Sequence, residues 1–205
     1  MAFSPDGRLL AANTLTGMVL WDPSTGEEVA HLSDSSSFPV FSPDSKLLVA
    51  KVGLEEGQIT LWDTATLKPV GRLNVDGLPE AFSPDGSRLA TDTSLYQIGH
   101  EGISLWDVDT RTRLASTRAP SGFWSIAFSP DGQKLIMYGF GFPDRSGENL
   151  YLWDANNLEP LGSLAGPQAS RIEAFFLPDG RVLACYWTDY LNSPDHIGIW
   201  TMELP

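Results

Sequence analysis

The side chains best suited to chemistry are scattered along this chain rather than gathered. His31, His100 and His196 stand far apart. No two share the one-turn helical spacing that lets imidazoles grip one metal ion. No Gly-x-Ser-x-Gly elbow exposes a nucleophile, and no glycine-rich loop cradles a phosphate. Asp189 with Asp195, and Asp144 with Glu148, could each place two carboxylates around a cation. Neither pair has calcium-loop spacing, so both read as solvated loop charge. The single cysteine, Cys185, has no partner for a disulfide and reads as a small core residue between Ala184 and Tyr186. The chain is therefore expected to be no enzyme, with no metal and no cofactor.

The abundant acids have another use. The formal net charge is −13, from 26 acidic and 13 basic residues. Such a surface repels phosphate backbones, which argues against nucleic-acid binding. Nine of the acids recur in two fixed settings. Asp6, Asp44, Asp85, Asp131 and Asp179 follow a proline, and Asp22, Asp63, Asp107 and Asp154 follow a tryptophan. Both are turn settings. No apolar run approaches the roughly 18 residues of a membrane span. The first residues lack the basic and apolar regions of a signal peptide. A cytoplasmic location is expected, in keeping with the lone cysteine.

The elements that position everything else are repeats. Phe3-Ser4-Pro5-Asp6-Gly7 recurs as Phe41-Ser42-Pro43-Asp44-Ser45, Phe82-Ser83-Pro84-Asp85-Gly86, Phe128-Ser129-Pro130-Asp131-Gly132 and Phe176-Leu177-Pro178-Asp179-Gly180. The steps are 38, 41, 46 and 48 residues. In phase with it run Leu20-Trp21-Asp22, Leu61-Trp62-Asp63, Leu105-Trp106-Asp107, Leu152-Trp153-Asp154 and Ile199-Trp200-Thr201. Ser-Pro-Asp-Gly suits the four places of a type I turn, with glycine free to take the left-handed conformation. Ser45 in that place should cost about 1 kcal/mol. Strands must flank the turn. In the strand that carries tryptophan, Met18, Ile59, Ile103, Leu150 and Ile197 share a face with the leucine or isoleucine before tryptophan. The tryptophans face the other way. A strand apolar on both faces must be covered on both faces.

On these two motifs the chain resembles the WD40 repeat family over nearly its whole length, in the form common in bacterial proteins. The resemblance implies an all-β β-propeller of about five four-stranded antiparallel blades. Phe-Ser-Pro-Asp-Gly then closes the innermost strand a, and Leu-Trp-Asp closes strand c. Trp21, Asp22, Trp62, Asp63, Trp106, Asp107, Trp153, Asp154 and Trp200 become structural repeat positions. The blades fall at about 1–33, 34–74, 75–118, 119–165 and 166–205. The Gly-His that many such blades carry between strands d and a is missing here, so cohesion should rest more on apolar packing.

The resemblance also implies where a partner would dock. The d–a and b–c loops of such blades share one face. The longer b–c loops of blades three to five carry Tyr96, His100, Phe142, Arg145, Trp187 and Tyr190. These include residue types that dominate binding hot spots, and loops on a rigid scaffold commonly carry function. The expected function is a non-catalytic scaffold for protein partners. The alternatives are an accessory propeller of a larger enzyme such as a kinase or protease, or a TolB-like periplasmic propeller. The first blade starts within strand a and the last lacks strand d. The expectation is an open piece of a larger ring, seven-bladed in the family's usual form, completed by further blades or by self-association. Reading the DNA upstream tests this: an open frame encoding more strand is expected, and an in-frame stop just before Met1 sinks it.

Overall fold

The structure is a computed structural model that describes residues 1–32, 35–52, 58–75, 77–92, 102–118, 125–138, 148–165, 171–188 and 196–202. Among the described residues nineteen strands fall into five antiparallel sheets in chain order. The first sheet holds β1 (Ala2–Phe3), β2 (Leu10–Thr14), β3 (Gly17–Trp21) and β4 (Glu28–Leu32). The second holds β5 (Ser35–Phe41), β6 (Leu47–Val52), β7 (Gln58–Asp63) and β8 (Lys68–Asn74). The third holds β9 (Leu78–Phe82), β10 (Arg88–Asp92), β11 (Ile103–Asp107) and β12 (Arg113–Thr117). The fourth holds β13 (Ser125–Phe128), β14 (Lys134–Tyr138), β15 (Glu148–Asp154) and β16 (Pro160–Ala165). The fifth holds β17 (Arg171–Phe176), β18 (Val182–Thr188) and β19 (His196–Met202). Every sheet is a simple meander. Consecutive sheets pack along their first strands, β1 on β5, β5 on β9, β9 on β13 and β13 on β17. Among the described residues no comparable packing joins the first sheet to the fifth. This is the expected β-propeller architecture, with a two-residue first strand and a three-stranded last sheet.

The same interface recurs between neighbours. Met18 and Leu20 of β3 pack with Phe41, Leu48 and Trp62 of the second sheet. Ile59 and Leu61 of β7 meet Phe82, Leu89 and Trp106. Ile103 and Leu105 of β11 meet Leu135 and Trp153, with Phe128 alongside. Leu150 and Leu152 of β15 meet Val182 and Phe176. Each of the first four sheets thus gives an aliphatic pair to the next, and the second, third and fourth receive their predecessor's pair on a Phe–Leu–Trp wall. Each such side chain contributes about 1.5–3 kcal/mol when fully buried. The matching residues of the first sheet are more exposed. Phe3 is 59% exposed, whereas Phe41 and Phe82 are each 8% exposed. Trp21 is half-buried, whereas Trp62, Trp106 and Trp153 are buried.

The turns show why serine, aspartate and proline recur. Gly7 N–H donates to the Ser4 carbonyl (2.9 Å), closing the four-residue turn, and the other copies do the same. The serine hydroxyl then works twice. Ser4 Oγ donates to Asp6 Oδ1 (2.7 Å) and accepts from Leu9 N–H (2.9 Å). Ser42, Ser83 and Ser129 repeat both bonds with Asp44, Asp85 and Asp131. All four serines are buried. The fifth copy has Leu177 instead, and its turn is one residue shorter: Leu177 N–H reaches Arg181 O, whereas Ser129 N–H reaches Lys134 O. Pairing in that sheet also slips. Leu135 sits between Phe128 and Trp153, but Trp200 pairs with Ala184, two residues beyond the Val182 that faces Phe176. A slip of two keeps every residue on its face.

The turn after tryptophan is built on its aspartate. Asp63 Oδ1 accepts from Thr66 N–H and Oγ1–H (both 2.7 Å), and Asp107 does likewise with Thr110. The residue four after each aspartate is left-handed: Gly26, Leu67 (φ 56°), Arg111 (φ 59°) and Leu158 (φ 59°). Immediately after, each fourth strand carries a bulge. Leu20 faces Ala30 and Trp21 faces Glu28, so Val29 is extra, and the shift recurs in the second, third and fourth sheets.

Ser45 adopts the expected left-handed conformation, φ 63°. Its side chain also accepts from Asp6 N–H of the first sheet (3.0 Å). Ser45→Gly relieves strain of about 1 kcal/mol and removes a hydrogen bond of about the same worth. Stability should therefore stay within about 1 kcal/mol of the parent, whereas Ser45→Ala, which keeps the strain, should lose about 1 kcal/mol. Urea unfolding of both variants checks this, and a clear gain for Ser45→Ala refutes the account.

Candidate functional site

The end of the array that carries the second-to-third strand connections is where sequence reasoning sets the partner site. Tyr96, His100, Phe142, Arg145 and Tyr190 lie outside the described residues. Trp187 needs a correction. It is not in a loop but in strand β18, paired with Arg171 and Ile197. It lies eleven residues after the motif phenylalanine, as does Val52, which is likewise paired on both sides in β6.

Beneath those connections the strands hold a band of residues that differ from sheet to sheet. Asn13 faces Met18, Lys51 faces Ile59, Asp92 faces Ile103 and Tyr138 faces Leu150, all at one register position of the second strand. Lys51 and Asp92 are each only 2% exposed. Nearer the turns the four second strands match, with Leu10, Leu48, Leu89 and Leu135 opposite tryptophan and then Ala11, Val49, Ala90 and Ile136. The band is the place where they stop matching.

On the neighbouring first strands the backbone departs from regular pairing. In the third sheet Ala90 faces Ala81 and Thr91 faces Pro79, so Glu80 is the extra residue of a bulge. Bulges re-aim side chains. The Glu80 carboxylate accepts from Ile126 N–H on β13 and lies near the Asp92 carboxylate. Burial, then the Asp92 charge, push Glu80 up to about 8, against the Ile126 hydrogen bond. The second sheet is irregular at the matching place, between Ser37 and Val40. There Phe38 is left-handed (φ 55°) and 52% exposed. A bulky residue in that conformation is a genuine outlier, and such strain clusters at functional positions. Sequence reasoning missed both features. Pro39 beside Phe38, and Pro79-Glu80 in the next sheet, were the available signals.

The opposite end is uniform. A groove of about 690 Å³ runs between the turns of the fourth and fifth sheets, lined by Asp131, Lys134, Asp179 and Arg181 among others. Its charges are mixed, and Arg181 pairs with Asp179 at 2.7 Å. Asp6, Asp44 and Asp131 are held below the usual carboxylate range by serine hydroxyls first and then by backbone N–H groups, and Asp179 by the Arg181 side chain first. Asp85 is lowered to about 2. A carboxylate so engaged stays ionised at neutral pH and makes a poor proton shuttle. Arg88 clamps this end. Its guanidinium donates to Ala155 O (2.6 Å), Asn156 Oδ1 (3.0 Å) and Gly132 O (2.7 Å) of the fourth sheet. Among the described residues no group of three or more His, Cys, Asp or Glu is placed to hold a metal ion. Among the described residues no helix is long and apolar enough to cross a membrane.

Exposed aliphatic residues form a further repeat. Val29, Val70, Leu114 and Leu161 occupy the fourth-strand bulges and are each 43–49% exposed. Their sequence signal was a constant step of eight from the tryptophan, followed by alanine or glycine.

No protein-family model matches the chain. No curated protein matches it either. Among solved structures, 859 chains match. One is a chain of hydrazine synthase of Kuenenia stuttgartiensis, with a TM-score of 0.77 and 16% sequence identity over 99% of this chain. The chain has a β-propeller fold. It spans 62% of that hydrazine synthase chain, less than two thirds of it. At this identity, and in a fold shared so widely, the likeness carries architecture and no activity.

Glu80 gives a pH test of the bulge. A folded value above the unfolded one stabilises fully below about pH 4.5 and is lost as pH rises through about 8. Glu80→Gln should match the parent near pH 4.5 and exceed it in thermal stability at pH 8. Parallel melting-temperature profiles for the two proteins from pH 4.5 to 8 would contradict the placement of Glu80.

Proposed function

We propose that this chain is a WD40-type propeller that holds protein partners on the end bearing the second-to-third strand loops, and that it is not a catalyst. The observation that supports this most is the contrast between its two ends. At one end serine, aspartate and tryptophan repeat, and each is used by a turn or an interface. At the other, one register position carries Asn13, Lys51, Asp92 and Tyr138, next to the strained, exposed Phe38. Lys51 and Asp92 are buried beneath the loops, so this band varies the support of the loops while Phe38 stands exposed beside it. A uniform frame under individually supported loops suits recognition, in which specificity comes from differences in shape and charge. Tyr96, His100, Phe142, Arg145, Trp187 and Tyr190 belong to this end in the proposal. The uncovered Phe3–Trp21 wall supports a further part of it: another sheet, from added blades or a second copy, stacks there.

A second reading has its own support. The likeness to a chain of hydrazine synthase shows that an enzyme can contain this fold. In that reading the chain is the accessory propeller of a larger enzyme, and its partner is the catalytic unit. A TolB-like periplasmic propeller is the remaining alternative.

Site-specific photo-crosslinking separates these ends. A photoreactive phenylalanine analogue is placed at Tyr96, Phe142 or Tyr190, and in parallel at Ser87 or Gln133 in the turns. Partner adducts are expected from the first group and few from the second. Equal yields at both ends, or adducts from the turns alone, overturn the assignment. Adducts with one catalytic polypeptide only would favour the accessory-domain reading.

A further inference from the structure

The seam between the first two sheets is underfilled on its outer side. Between the second and third sheets Leu73 and Val75 pack fully into the core around Trp106. Between the first and second, Ala30 and Leu32 are only partly buried against the cluster around Trp62. A cleft of about 240 Å³ remains there, lined by Leu32, Val52, Thr60, Trp62 and Arg72, with His31 at its rim. His31 is already engaged, its Nε2 donating to Thr16 O (3.2 Å).

Two polar groups in this cleft have no protein use. Thr60 is 2% exposed, and its Oγ1 has no hydrogen-bond partner among the described residues. A buried hydroxyl without a partner is costly, which makes it a rare feature that calls for a reason. Thr60 and Arg72 face each other across β7 and β8, so both present to the same side of the sheet as Trp62. Arg72 is exposed and, among the described residues, makes no hydrogen bond or ion pair. The same register position holds Val19 and His31 in the first sheet, Ser104 and Ser116 in the third, and Tyr151 and Ser163 in the fourth. The hydroxyl-and-guanidinium pair is specific to this seam.

We infer that this cleft binds a small amphipathic carboxylate, its apolar body seated against Trp62, Leu32 and Val52 and its carboxylate held by Arg72 and Thr60. A guanidinium matches a carboxylate with two parallel N–H···O bonds, and a hydroxyl supplies a third donor. The volume lies below the roughly 300 Å³ at which drug-sized sites begin. It therefore suits a body of about one aromatic or branched side chain. A free acid and the C-terminal residue of a peptide share this chemistry. The inference is independent of the loop-bearing end and of any protein partner there.

The test is titration of the isotopically labelled full chain, followed by NMR, with 3-phenylpropanoate, 3-phenylpropanamide, and N-acetyl-Gly-Phe as its free acid. The acid should produce saturable shifts at the Trp62 indole and the Thr60 amide, and the amide should not. Saturation by N-acetyl-Gly-Phe as well would identify a peptide C-terminus as an acceptable source. Its failure beside binding of 3-phenylpropanoate would restrict the site to free acids. Arg72→Gln should weaken binding roughly tenfold or more, since it removes the charged fork. Thr60→Val should weaken it several-fold without lowering the melting temperature, since the hydroxyl holds nothing in the fold. A cleft that holds only water gives no saturable shift at millimolar acid. That result, equal binding of acid and amide, or unchanged affinity in both variants overturns the inference.

Discussion

The arrangement depends on one constraint, the two-residue period of the third strand in each sheet. That period sends an aliphatic pair to one face and tryptophan to the other. Each sheet then has a face that gives and a face that receives, and the two differ. Stacking acquires a direction. Met18 and Leu20 can enter the wall of Phe41, Leu48 and Trp62, and Ile59 and Leu61 the wall of the next sheet, in one sense only. The same asymmetry leaves Phe3 exposed and Trp21 half-buried on the receiving face of the first sheet. Stability here is a sum of neighbour interfaces, as in other repeat architectures.

The turns serve this constraint, because a face is useful only while register holds. Ser4, Ser42, Ser83 and Ser129 fix the first hairpin by bonding both the aspartate and the backbone N–H five residues on. Without the hydroxyl, at Leu177, the turn shortens and the next pairing slips by two. An odd slip would have exchanged the two faces and destroyed the interface, whereas an even one is tolerated. The outer edge has its own device. The bulges at Val29, Val70, Leu114 and Leu161 interrupt the edge strands, which would otherwise present unpaired backbone to other chains.

Much of this was legible in the sequence because period and turn chemistry are local. Five copies of each motif placed the sheets and their order, alternation assigned both faces of the third strand, and the left-handed Ser45 followed from its place in the turn. What stayed hidden depended on pairing between strands. Glu80 is a bulge residue only because Ala81 and Pro79 face adjacent residues of β10. Leu67, Arg111 and Leu158 take a conformation that glycine normally signals, and only Gly26 carries that signal. Trp187 read as loop because the point where a strand ends is set by its pairing, here with Arg171 and Ile197, which cannot be seen without the partner strands. The Thr60–Arg72 pair was invisible for the same reason: the two residues are twelve apart in the chain and opposite in the sheet.

Repetition also bounds where individuality can arise. A position that packs between two sheets answers to both, so Leu48, Leu89 and Leu135 are one residue type at one register position. A position at the end of the second strand meets a different first strand and loop in each sheet, as Asp92 meets Glu80, and it holds Asn13, Lys51, Asp92 or Tyr138. Individuality appears a second time on the outer side of the seam between the first and second sheets, where packing falls short and Thr60 and Arg72 are released from interface duty. In a repeat protein the chemically informative residues are those that break the pattern without loosening the stack. The varied band and the Thr60–Arg72 pair both meet that condition, whereas the repeated aspartates, for all their number, do not.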